Sequence, residues 1–184
     1  MSASEPHFEP GPHAKLTSTD TEAFCVADDF VFIDENGKRW EAPVGTLTDG
    51  ASIPQLFLVF TGGQLSQDFR AAAVVHDAYC GVANKGGKSY QIESWPQVHR
   101  MFYEACLTCG AGRLKALTMY AAVRLGGPRW EMGKDVSLSK LVPEERLVQE
   151  MKHCKTFIEE RSPSIDEVDE WMKAQESKML LESV

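Results

Sequence analysis

The sequence predicts an α+β protein, with short antiparallel strands near the N-terminus followed by a mainly helical body. Three observations predict it. β-Branched and aromatic residues gather in short runs between residues 24 and 42, interrupted by an Asn-Gly pair. From about residue 67 the apolar positions recur at helical spacing instead. Beyond about residue 140 the composition shifts to charged, amphipathic stretches.

Taken in order, residues 1–13 (MSASEPHFEPGPH) are polar and Pro-rich and read as a flexible arm. FCV and FVFI are β-prone, DENGK is a hairpin turn built on Asn36-Gly37, and RWEAPVG returns as a strand. TLTDGASIPQLF is a loop punctuated by Gly50 and Pro54. A helix starts near Gln67, with Ser66 as its N-cap, and ends at Cys80-Gly81. NKGGKSY reads as a mobile, turn-rich connection. Pro96 suits the first turn of a second helix that ends at Gly110, and a third, GRLKALTMYAAVRLGG, closes at Gly126-Gly127. Two amphipathic helices finish the chain, the second opened by Ser164 and Glu167 at capping-box spacing. The domain organisation expected is therefore an arm (1–13), a main domain (14–130) and a helical C-terminal extension (131–184). That extension is expected to pack on the domain, with partner binding as its other use.

Composition narrows the function classes. A chain of 184 residues, 43% hydrophobic, is large enough to bury a core. A net charge of −8 argues against a nucleic-acid surface, which would gather Lys and Arg. No apolar run reaches the roughly 20 residues that span a bilayer, and the N-terminus lacks the apolar stretch of a secretory signal. The expectation is a cytoplasmic protein in the producing cell, delivered outside, if at all, by a phage particle, lysis or a signal-less secretion system. Five cysteines include one CxxC pair, Cys106 and Cys109, where a zinc ribbon needs two. Reduced, partly buried thiols are expected. GKSY at 87–90 lacks the spacing of a P-loop, and His7, His13 and His153 are read as bland. Trp130 and Trp171 are read as packing anchors.

The chemistry-bearing residues sit on predicted helix faces. Phe69, Ala72, Ala73 and His76 follow i, i+3, i+4, i+7 spacing, which puts His76 on the apolar side with Asp77 beside it. His99, Phe102 and Cys106 likewise share one face of the second helix. Two inward histidines on neighbouring helices are expected to meet, because a buried polar group without a partner costs several kcal/mol. Asp49 follows a strand on an irregular loop of the kind that presents carboxylate and carbonyl oxygens; its ordinary alternative is an Asx-turn.

In order along the chain, WEAPVGTLTDGASIP, AAAVVHDAYC, VHRMFYEAC and LTMYAAVRLGG resemble the phage and bacterial proteins of domain-of-unknown-function family 1353. That family's pattern runs V-P-x-G-F-x-T-D-x-A-S-x-P, then H-D-x-L-Y, A-D-x-x-F and A-V-R-x-x-G. The resemblance covers about residues 14–130, with one departure: His99 stands where the family usually has Asp. The same order is similar to the bacterial secretory phospholipase A2 class. That second resemblance implies a calcium loop at Asp49–Ser52, His76 as general base and Asp77 as calcium ligand. The orienting carboxylate of that class falls on His99, and an imidazole cannot supply its charge.

Three functions follow as expectations. In the first, Asp49, His76 and His99 converge on a zinc ion whose water is activated, with Asp77 or Glu104 as general base, hydrolysing an amide or ester of the cell envelope such as peptidoglycan. In the second, calcium held by Asp77 and the 49–52 loop, Ser52 included, assists His76 in cleaving a lipid ester. In the third, a non-enzymatic phage- or toxin-associated protein uses the HD pair only to satisfy buried polar groups and binds a partner through its C-terminal helices. Cys80 shares the face of His76, but it lies at a helix C-terminus, where the dipole opposes a nucleophilic thiolate. Both enzymatic expectations require the imidazoles and the loop carboxylate to share one solvent-reachable cavity.

Overall fold

A computed structural model describes residues 5–20, 23–49, 58–61 and 69–182. Strands come first: β1 (His7–Glu9), β2 (Leu16–Ser18), β3 (Phe24–Val26), β4 (Phe30–Ile33), β5 (Arg39–Ala42) and β6 (Leu47–Thr48). They form two antiparallel three-stranded sheets, ordered β1-β4-β5 and β2-β3-β6. The hairpin between β4 and β5 is closed as its sequence dictates. Gly37 takes the positive φ of 77° that only glycine adopts freely. Asp34 accepts the backbone N–H groups of Asn36 and Lys38 on Oδ1, and Trp40 Nε1–H on Oδ2.

The expected α+β class is therefore the observed one, with local changes: Leu47–Thr48, read as the start of a loop, pairs with β3 as β6, and Leu16–Ser18, not read as a strand, pairs with β3 as β2. His7–Glu9, read as part of a flexible arm, pairs with β4 in the register Phe8↔Phe32, and Phe8 stacks on Phe30 at 5.3 Å. An aromatic residue next to an exposed sheet edge outweighs the polar composition around it. The turns at 84–90, read as a mobile loop, are tied to β5 by Ser89 Oγ donating to Glu41 O, and just after them Gln91 N–H donates to Tyr79 O of the helical layer.

The helical layer comprises α1 (Leu58–Thr61), α2 (Arg70–Cys80), α3 (Trp95–Thr108), α4 (Arg113–Gly126), α5 (Glu144–Arg161) and α6 (Ile165–Glu182). A small ribbon of β7 (Trp130–Glu131) and β8 (Lys134–Asp135) follows α4. α2 packs on β5 and β6 on one side and on α3 on the other, α3 packs on α4, and α4 on α5. Every residue of α2 from Ala71 to Cys80 is buried, so this helix runs through the core instead of along its surface. The expected start at Ser66 and Gln67 lies outside the described residues, but the end at Cys80-Gly81 is as read. α3 has Pro96 in its first turn, and Gly110 follows it at φ 90°. Ser164 and Glu167 form their capping box: Ser164 N–H reaches Glu167 Oε2 at 2.7 Å, and Glu167 N–H reaches Ser164 Oγ at 3.2 Å.

The extension at 131–184 is part of the core. Leu147, Met151, Cys154 and Ile158 of α5, and Val168, Met172 and Met179 of α6, join one contiguous buried cluster with α2, α3 and α4. Trp130 donates Nε1–H to Glu93 O, and Trp171 stacks on Phe157, the anchoring roles expected of them. All five cysteines are free thiols.

Candidate functional site

Helix α2 presents its HD pair in two directions. His76 points toward α3, where its Nε2 lies 2.9 Å from His99 Nδ1, and both rings are 0% exposed. His99 Nε2 lies 3.1 Å from the carbonyl oxygen of Pro128, in the turn after α4. A carbonyl only accepts, so His99 carries its hydrogen on Nε2 and accepts on Nδ1. His76 must then carry its hydrogen on Nε2. One backbone carbonyl thereby fixes the tautomer of both rings and leaves His76 Nδ1 as the single unprotonated nitrogen not engaged by its neighbour.

Cys80, one turn on, covers that ring. Its Sγ is 3.4 Å from His76 Nδ1 and 3.5 Å from Nε2. A sulfur nearly equidistant from both nitrogens must lie over the ring face, since an in-plane position would overlap Cε1. The thiol hydrogen is directed at His76 O, 3.3 Å away. Phe102 and Trp95 enclose the pair, with ring centroids 4.8 Å from His76 and 5.6 Å from His99. Burial drives His76 down to about 3 and His99 well below the usual imidazole range, the latter helped by His76 and by the cations of Arg129 and Arg124. Burial also pushes the Cys80 thiol well up, with Asp77 adding to it, so Cys80 is a packed thiol, not a nucleophile.

Asp77 points the other way. It borders a cleft of about 340 Å³ together with Thr48, Asp49, Cys80 and the Gly126–Pro128 turn. Thr48 Oγ1 donates to Asp77 Oδ2 at 2.6 Å. Asn84 holds the two sides together: its amide pairs with the N–H and C=O of Leu47, and it donates to Asp77 O at 2.8 Å. Sequence reasoning missed Asn84, whose only signal is a side-chain amide in a turn next to the helix end. It also missed Pro128, whose contribution is a backbone atom.

The expected meeting of His76 with His99 is what the structure builds. The expected convergence of Asp49 with both imidazoles is corrected. Asp49 is exposed at the cleft, whereas the two rings are sealed behind Cys80 and spend their facing nitrogens on each other. A zinc ion on both imidazoles would have to break that contact. Among the described residues, no three His, Cys, Asp or Glu side chains are grouped as a ligand set. Glu104 is also elsewhere: it lines a separate cleft with Asp34, Glu35 and Arg100. Its carboxyl is raised by burial and by Glu35. Ser52, with Gly50 and Ala51, lies outside the described residues.

The fold and site define an α+β protein with a buried histidine pair at the back of a carboxylate-lined cleft. The model of the family described as "Protein of unknown function (DUF1353)" matches residues 24–123, more than half of the chain, and the chain belongs to that family. Two relatives in Sinorhizobium fredii are similar to it. The uncharacterized protein y4iH is 38% identical over 102 residues, 55% of this chain and 39% of its own length. The uncharacterized protein y4jT is 35% identical over 126 residues, 68% of this chain and 35% of its own. The chain thus spans well under half the length of either relative. No solved structure matches it significantly.

Proposed function

We propose that the chain is a hydrolase of ester or amide bonds that works in the Asp49/Asp77 cleft, with His76 as its base through Nδ1. The observation that carries this reading is the Pro128–His99–His76 chain, which leaves that one nitrogen unprotonated and fixes the ring that bears it. Cys80 links base and cleft, because it borders the cleft and its sulfur rests on the ring. The ring is covered by Cys80 at rest, so the reaction requires that side chain to turn off it; a water from the cleft then gives one proton to His76 Nδ1 and adds its oxygen to the carbonyl carbon. The same nitrogen then returns the proton to the departing alcohol or amine as the bond breaks. His99 orients the ring by accepting Nε2–H, the task a carboxylate performs in stronger bases.

Asp77 and Asp49 offer hard oxygen ligands, which suit calcium better than zinc. A cation there would polarise the substrate carbonyl. Among substrates, a lipid ester or another envelope component, peptidoglycan included, keeps to the amide-or-ester chemistry. The test has two parts. Calcium titration by calorimetry is expected to show binding that Asp77→Asn abolishes and Asp49→Asn weakens. Release of fatty acid from phospholipid vesicles, or of muropeptides from peptidoglycan, is expected to stop in His76→Gln and to rise in Cys80→Ala, which uncovers the ring. Equal turnover in wild type and His76→Gln would sink the reading.

A second reading is favoured by a different observation: both rings are fully buried and their hydrogen bonds end on a backbone carbonyl. On that reading the pair is structural, and the protein serves a phage or toxin assembly by binding a partner. It requires full biological function in any His76 variant that folds.

A further inference from the structure

The carbonyl that fixes the two tautomers is itself held in place from far along the chain. Pro128 lies between Gly127, whose N–H returns to Val123 O at 2.8 Å, and Arg129. The Arg129 side chain folds back and donates from Nε and Nη2 to Arg124 O, at 3.1 and 2.6 Å, closing the open C-terminal end of α4. Both flanks of Pro128 are thus pinned to the same helix end. The guanidinium that does this is 3% exposed and lies over Trp95 at 4.5 Å, the ring that also packs on His99. Its remaining amine, Nη1, meets one carboxylate, Glu176 Oε1, at 2.5 Å.

We propose that Glu176 is a positioning residue for the His76–His99 pair, acting through Arg129 and the carbonyl of Pro128. A buried guanidinium deprived of its carboxylate is left as an uncompensated charge and turns toward solvent. It then gives up the cap on Arg124 O, and the turn that carries Pro128 relaxes. His99 Nε2–H loses its fixed acceptor, and the reason for both rings to keep one tautomer goes with it. Glu176 sits on α6, outside residues 24–123, so this chain completes its site with a helix beyond the family-matched segment. Asp169, one α6 residue that pairs with Arg124 Nε at 2.7 Å, supplies the internal comparison. Both carboxylates touch Arg124, since Glu176 Oε2 also lies 3.6 Å from its Nη1 and Asp169 also accepts from Tyr120 Oη–H, but of the two only Glu176 pairs with Arg129, whose side chain makes the cap; Arg124 contributes its carbonyl, not its side chain.

The test reads the rings directly, so it stands apart from the hydrolytic reading: locked tautomers that depend on Glu176 in an inert protein would keep this inference and end that one. Long-range 1H–15N spectra of the full chain are expected to show both rings protonated at Nε2 alone. In Glu176→Ala the His99 Nε2–H is expected to exchange with solvent at least about tenfold faster, the effect of losing a charge-assisted hydrogen bond, and its tautomer signals to average. Glu176→Gln, which retains an acceptor, is expected to keep the wild-type tautomers with only a few-fold faster exchange. Asp169→Ala is expected to lower the melting temperature without changing the rings. Unchanged rings in Glu176→Ala, or the same change in Asp169→Ala, would overturn the proposal. If Glu176→Ala does not fold, the comparison of Glu176→Gln with Asp169→Asn decides: faster ring exchange in the first alone supports it, and equal exchange in both overturns it.

Discussion

His76 and His99 share a hydrogen bond in a place where neither ring can hold a proton charge cheaply, and that has a consequence for acid stability. Their folded-state affinities for a proton are depressed by burial, His76 to about 3, whereas in the unfolded chain each titrates near 6.5. A depressed value means that the unfolded state binds protons first, so the contribution of His76 is complete well above pH 6.5 and shrinks as pH falls toward 3, and that of His99 falls in the same direction below pH 6.5. Each neutral ring should cost about 1.4 kcal/mol of stability per pH unit in that window. Denaturant melts at pH 7.5, 6 and 5 are expected to show this steep loss, and the double variant His76→Phe/His99→Leu to flatten it. A shallow slope in both proteins would show that the rings are not neutral in the fold. The pairing itself was legible in the sequence, because helical spacing put both histidines on apolar faces. The partner of each nitrogen was not, since it depends on a backbone carbonyl after α4 that carries no side-chain signal.

At the scale of elements, the strand–helix junction around the cleft depends on backbone closeness that two residues permit. Asn84 ties β6 to the last turn of α2 through three hydrogen bonds. Gly127 sits so near α4 that an added Cβ would lie 2.3 Å from Val123 O, and at Gly81 one would lie 2.8 Å from Asp77 O. Asn84→Ala is expected to cost about 2–3 kcal/mol, about 1 for each lost bond, while leaving the His99 ring unchanged. Gly127→Ala is expected to cost more than about 3 kcal/mol and to disturb His99, because the turn must move to admit a methyl group. Fluorescence melts with ring spectra of the folded fraction check both, and the reverse ranking would contradict the geometry. The helices were largely readable from period, Pro96, Gly110 and the capping box, since local physics decides those boundaries. β1 was not, because three residues in a Pro-rich stretch gain their strand conformation only from the edge of β4 and the stacking of Phe8 on Phe30.

Across the whole molecule, the question is whether residues 14–130 are a domain with an appendage or whether the chain folds as one unit. Composition suggested the first, because α5 and α6 are charged on most of their surface. Their narrow apolar stripes are nonetheless closed against α4, and Val168, Met172 and Met179 of α6 are almost fully buried. α6 also brings Asp169 and Glu176 to two arginines that are 3% exposed. Removing it would expose an apolar face and leave two buried cations without carboxylates, and each effect alone costs several kcal/mol. Against a typical domain stability of about 5–15 kcal/mol, that loss is decisive. A chain ending at residue 162 is therefore expected to lose cooperative thermal unfolding and to bind hydrophobic dyes, whereas the full chain melts in a single transition. Met172→Ala, which opens a cavity without removing any charge, is expected to lower stability by about 2–4 kcal/mol but to keep the single transition. A truncated chain that melted sharply would mean that α4 can satisfy Arg124 and Arg129 by other means, and the ion pairs to α6 would then be ornaments on a self-sufficient core.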